Sequence, residues 1–149
     1  MVFKTNFVAL FVMSIQQTVI TEADTQVTNN TPKKILIIDD NTSMNKLLTR
    51  FFETRNLDCT VTDDGISGIQ QIYKQNFDVV LLDLAMPEFS GWDVIKSLEK
   101  KIKIKEKRIF VFTASAISSL EMDELSKRGI QGLIKKPISL KNLLKVLGV

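Results

Sequence analysis

VVLLDLAMPEFSG, residues 79–91, opens with four apolar residues, meets a carboxylate at Asp83, and breaks into a Pro- and Gly-containing turn. A short continuous apolar run of this kind reads as a strand covered on both faces, the habit of a parallel sheet. Working outward, Ile35–Ile38, Ile109–Phe112 and Leu133–Ile134 repeat it, and Cys59–Thr62 is a weaker fifth run. Between the runs the apolar period changes to that of helices. The stripes are Met44, Leu47, Leu48, Phe51 and Phe52; Ile66, Ile69 and Ile72; Val94, Ile95 and Leu98; Ile117, Leu120 and Leu125; and Leu140, Leu143, Leu144 and Leu147. All are expected to face the core. Asp64 and Ser139 stand where helix N-caps belong, and Gly129 and Gly132 where the fourth helix should stop.

Strands alternating with helices, each crossover long enough for a right-handed βαβ unit, give an open doubly wound α/β sheet. In such sheets the site lies beyond the carboxyl ends of the strands, where strand order reverses. Asp39 and Asp40 follow the first run, Asp83 the third, Thr113 the fourth and Lys136 the fifth. Three carboxylates on one sheet edge repel one another unless a cation joins them, and hard oxygen ligands in a tight site suit Mg2+. A simpler reading of Asp39 and Asp40 is that they cap the first helix. Thr113 and Lys136 tip the balance, because a hydroxyl and an ammonium facing carboxylates make a place for a phosphoryl group. Pro137 also makes Lys136–Pro137 a candidate cis bond.

Composition narrows the function. The 149 residues carry a net charge of +3, with Lys and Arg interleaved with Asp and Glu along the chain, so nothing argues for nucleic-acid binding. The basic run Lys100–Arg108 reads first as a solvated loop and second as a partner-docking patch. One cysteine, Cys59, and no histidine leave neither an internal disulfide nor a zinc site, and the chain cannot itself be a phosphohistidine carrier.

Residues 1–32 differ from the rest. An apolar stretch, Phe7–Ile15, lies behind Lys4 and precedes a polar, Thr-rich segment. It is too short for a membrane span and lacks a small-x-small cleavage site. A translation start at Met13 with a short disordered leader, a membrane-proximal anchor and a signal peptide are the three readings it admits.

From Lys33 to Val149 the chain resembles the receiver domains of response regulators. The resemblance is carried by Asp39-Asp40, by Asp83 within Asp83-Leu84-Ala85-Met86-Pro87, by the Ser90-Gly91 turn, by Thr113-Ala114 and by Lys136-Pro137. It implies a flavodoxin-like sheet in strand order 2-1-3-4-5 with five helices. It implies further that Asp83 is the phosphoacceptor, that Asp40, Asp83 and the backbone carbonyl of Ala85 ligate Mg2+ (or Mn2+), and that Asp39 acts through a bound water. Thr113 and Lys136 would contact the phosphoryl oxygens. The donor would be a histidine kinase or histidine phosphotransfer protein, the output a separate downstream protein, the location cytoplasmic, and the chain a stand-alone phosphoacceptor rather than an enzyme. The family couples Thr113 to an aromatic residue on the fifth strand; here that switch position is Leu133, a departure.

Three rival readings compete for these residues. Haloacid-dehalogenase-like phosphatases need a second Asp two residues after the nucleophile, and Ala85 stands there. A flavodoxin-like cofactor binder needs a phosphate-cradling loop after the first strand, where Asp39-Asp40 would repel phosphate. A contact-only pseudo-receiver, or a phosphate sink without its own output, is the alternative that Leu133 keeps open. Trp92 and Tyr73 read as packing residues.

Overall fold

The computed structural model describes residues 31–149; the expectations for the leader lie outside the described residues. The order is β1 (Lys34–Ile38), α1 (Thr42–Glu53), β2 (Asp58–Thr62), α2 (Gly65–Lys74), β3 (Val79–Leu82), α3 (Gly91–Glu99), a 3-10 turn (Ile104–Glu106), β4 (Ile109–Thr113), α4 (Ser119–Lys127), β5 (Gly132–Lys135) and α5 (Leu140–Leu147). All neighbouring strands are parallel, and they lie in the order β2-β1-β3-β4-β5, as the resemblance implied. The order reverses between β1 and β3, so the ends of those two strands flank the crevice.

Alternation along each strand sorts the core into two layers. Leu36, Ile38, Val80, Leu82 and Val111 face Ile72, Val94, Ile95, Leu98 and Leu125 of α2, α3 and α4. Ile35, Ile37, Val79, Leu81, Phe110 and Phe112 face Leu48, Phe52, Leu143 and Leu147 of α1 and α5. A sheet buried on both faces is why β1 and β3 read as unbroken apolar runs.

Several stripe positions are not core. Leu47 is 52% exposed, Ile66 55% and Leu120 79%. Each sits on the margin of an amphipathic helix whose contact with the sheet is narrower than its apolar face. Ile117 precedes α4 instead of belonging to it. Gly129, with φ of 91°, is the left-handed residue that ends α4. Gly132 is not a helix stop but the first residue of β5. The Lys100–Arg108 run is solvated, as expected, except that Ile104 plugs the core and pins the 3-10 turn. Trp92 packs against the first layer, whereas Tyr73 is exposed beneath the Lys101 ammonium, 5.5 Å from its ring centre.

Candidate functional site

At the carboxyl end of β1 the chain is tied down before it turns. Asp39 N–H donates to Thr62 O at 3.0 Å, and the Asp39 carbonyl accepts from Asn45 Nδ2 at 2.6 Å. Asp39 Oδ1 accepts from the Asn41 N–H at 2.8 Å. Asn41, rather than either aspartate, is the N-cap of α1, accepting from the Met44 N–H at 3.0 Å. The carboxylates of Asp39 and Asp40 are thereby released from capping. Asp39 is buried and Asp40 exposed.

Asp83 follows β3 in the same way. Its N–H donates to Ile38 O at 2.9 Å, and its Oδ1 accepts from the Ala85 N–H at 3.1 Å. Close packing under this loop requires Gly91, because a Cβ there would meet Asp83 O at 2.3 Å and Leu84 Cα at 2.8 Å. From the far side of the crevice, Lys136 N–H donates to Thr113 O at 2.9 Å, fixing the end of β5 beside the end of β4. The Lys136 ammonium pairs with Asp39 Oδ2 and lies 3.4 Å from Asp83 Oδ2. The Lys136–Pro137 bond is cis. Thr113 is buried, its Oγ1 accepting from the Ser115 N–H at 3.2 Å.

Oxygens of Asp39, Asp40 and Asp83 all lie within 4.8 Å of one another. One ammonium serves two of these three carboxylates, which leaves net negative charge in a small space. Hard oxygen donors that a single ammonium does not neutralise fit a divalent cation of the Mg2+ type. Asp40, exposed and held by no salt bridge among the described residues, is free to turn toward it.

Residues 35–148 match the family model described as the response regulator receiver domain. The chain belongs to this family. Similar proteins include the chemotaxis protein CheY-3 of Vibrio cholerae, 29% identical over 115 residues that make up 76% of this chain and 88% of the relative. The polar-differentiation response regulator DivK of Brucella anthropi is 26% identical over 78% of this chain and 94% of its own. Among solved structures, Vibrio cholerae chemotaxis protein CheY4 superposes with a TM-score of 0.71 at 25% identity, covering 78% of this chain and 97% of that one. Receiver domains of this kind signal through phosphorylation and bind Mg2+ at an acidic pocket. No helix among the described residues of this receiver domain is long and apolar enough to cross a membrane.

Leu133, half-buried on β5, lies beside a cavity of about 200 Å³ that Met122, Leu125 and Ile130 also line. It pairs in register with Val111, two residues before Thr113. Two features of the receiver escaped the sequence reading. Asn45, buried under the β1 end, carried no signal beyond its place on a helix stripe. Ser90 and Ser118 each begin a capping box, with Asp93 and Glu121. The Ser-x-x-acid spacing for both was in the sequence and is a known helix-start signature.

Proposed function

We propose that this receiver domain, residues 33–149, accepts a phosphoryl group on the carboxylate of Asp83 from the phosphohistidine of a histidine kinase or phosphotransfer protein. It then signals by phosphorylation-dependent contact with a separate protein in the cytoplasm. The observation that carries the reading is the Lys136 ammonium shared between Asp39 and Asp83, with Thr113 at the adjoining strand end.

A carboxylate oxygen of Asp83 attacks phosphorus, the phosphorus–nitrogen bond of the donor breaks, and the imidazole leaves with its electron pair. Transfer passes through a loose transition state, so holding the groups in line matters more than activating the nucleophile. The bond from the Ala85 N–H fixes the plane of the Asp83 carboxylate. Lys136 is placed to leave the carboxylates for the incoming oxygens, and the Thr113 hydroxyl to donate to one of them. Asp40, Asp83 and the Ala85 carbonyl would hold Mg2+, with Asp39 behind a water. Mg2+ bound there neutralises charge on the transferring group and opposes the repulsion between carboxylates.

No second acid follows Asp83 at position 85, which favours an acceptor that promotes its own phosphorylation and dephosphorylation over a dedicated phosphatase. Incubation with acetyl phosphate or phosphoramidate and Mg2+ (or Mn2+), read by intact mass, tests this. One hydroxylamine-labile phosphoryl adduct is expected, absent with EDTA and absent in Asp83→Asn. An adduct that persists in Asp83→Asn, or none in the wild type, overturns the assignment and favours a contact-only role.

A further inference from the structure

Parallel strands put every strand start at one end of the sheet, and the connecting helices finish there too. That end is opposite Asp39, Asp40 and Asp83, and it is where cations collect. Lys33 and Lys34 stand at the start of β1, and Lys107 and Arg108 at the start of β4, two strands away. At the usual strand spacing the two pairs are about 10 Å apart, within roughly one Debye length at 0.1 M salt, so they act as one patch. Lys101 and Lys105, both exposed, extend it along the connection from α3 to β4. The sequence offered the Lys100–Arg108 run as a docking patch in second place, but not its junction with Lys33 and Lys34.

The four strand-start side chains are held by uncharged oxygens. Lys33 Nζ donates to Gly148 O at 2.9 Å, and Arg108 Nη2 to Leu147 O at 2.7 Å. Lys34 Nζ reaches Gln75 Oε1 at 3.3 Å, and Lys107 Nζ reaches Asn76 Oδ1 at 2.8 Å. These bonds position the charges without neutralising them. The C-terminal carbonyls of α5 offset roughly half a charge between Lys33 and Arg108. Glu99 pairs with Arg128 and Glu106 with Lys103, whereas Asp78, just before β3 and bonded at 2.7 Å only to the neutral Lys34 N–H, keeps its charge within the patch. Asp58, exposed and in register with Lys34 on the neighbouring strand, and exposed Glu53 at the end of α1 also keep their charges, so the patch is positive by the excess of Lys33, Lys34, Lys101, Lys105, Lys107 and Arg108 over these three carboxylates.

The chain enters β1 from this same basic end, and the sequence ahead of it contains Lys4 and the apolar stretch Phe7–Ile15. An apolar segment too short to span a bilayer attaches weakly alone, and stable attachment takes a second signal such as a basic patch. We infer that the basic end of the domain docks on an anionic lipid surface, with Phe7–Ile15 as a second attachment to the same membrane. Nucleic acid would use the cations but not the apolar stretch. In this orientation the acidic site faces away from the lipid, one strand length of roughly 16 Å beyond the patch, and stays open to a phosphoryl donor.

The test is sedimentation of the full chain with vesicles of phosphatidylcholine alone or with about one-third phosphatidylglycerol. Partition at 0.1 M salt is expected to favour the anionic vesicles at least about tenfold, and to collapse at 1 M salt, where the Debye length is about 3 Å. Combined Lys34→Glu, Lys101→Glu and Lys105→Glu should lower partition by about tenfold or more, with unchanged helical circular dichroism and unchanged phosphoryl adduct at Asp83. Phe7→Ser with Phe11→Ser should weaken partition as well. Equal partition into neutral vesicles, indifference to salt, wild-type partition by the folded triple variant, or tighter binding to duplex DNA at matched phosphate concentration would each overturn the proposal. The salt series on the wild-type chain decides it even where a variant does not fold.

Discussion

The Lys136 ammonium stands 3.4 Å from Asp83 Oδ2 across 53 residues of sequence, and the same nitrogen pairs with Asp39. It is the described cation that salt-bridges these carboxylates. Its removal separates two roles, balancing charge at rest and meeting the phosphoryl group. Lys136→Met should lower stability in EDTA by a few kcal/mol, toward the low end of the roughly 3–5 for breaking a fully buried pair, because Asp40 opens the site to water. Mg2+ should restore much of that loss and bind more tightly than to the wild type, while the rate of phosphoryl uptake falls at least about tenfold. Thermal melts with and without Mg2+, titration calorimetry and intact-mass time courses check the three directions.

Gly91 is needed for space. An added methyl group would strike the backbone of Asp83 and Leu84, which cannot yield as a flexible side chain can. Gly91→Ala is expected to cost about 1–3 kcal/mol in urea unfolding and to lower adduct yield by displacing Asp83. Unchanged stability would show that the loop relaxes freely.

Three helix caps make a small contribution to stability that depends on acid pH. Bonds from Ser90 hold the Asp93 carboxyl below its usual value, and bonds from Ser118 and from Ser67 do the same for Glu121 and Asp64. A carboxyl depressed on folding stabilises the native state fully above its unfolded pKa and loses that contribution as pH falls through the lower, folded one. The wild type should therefore lose more stability between pH 5 and pH 2, a range that starts just above the ordinary values of 3.8 and 4.5 and runs below them, than a Ser90→Ala, Ser118→Ala double variant does. Denaturant midpoints across that range measure the difference.

Cys59 should be a poor nucleophile. Burial, the largest influence, pushes its thiol up to about 11, against a smaller lowering by the Thr49 hydroxyl. Alkylation by iodoacetamide at pH 8 should be at least about tenfold slower in the native chain than in guanidinium, since the thiolate is the reacting form.

Leu133 leaves room beside it. The adjoining cavity, about 200 Å³, is open enough to take a ring. Leu133→Tyr is expected to keep the fold, with a stability change under about 1.5 kcal/mol, and to leave the Asp83 adduct unchanged while altering affinity for a downstream partner. A large drop in melting temperature would show that the cavity does not admit the ring.

The alternation of strands and helices, and the residues at the strand ends, are legible in the chain alone. Four apolar residues before Asp83, and the matching runs before Asp39, Thr113 and Lys136, are local patterns that a sheet buried on both faces imposes. The strand order came from the resemblance, and the tertiary structure then decided what depends on which surfaces meet. Leu47, Ile66 and Leu120 satisfy a helical period as well as Leu48, Ile72 and Leu125 do, yet only the latter are buried, because burial belongs to a pair of surfaces and not to a period. Capping went to Asn41 because its side chain reaches the Met44 N–H, leaving the neighbouring aspartates for the pocket. Parallel packing brings distant residues to common ends: Asp39, Asp83 and Lys136 to one, Lys33, Lys34, Lys107 and Arg108 to the other. Charge that alternates along the chain is thereby separated in space, since a field sums over distance and not over sequence.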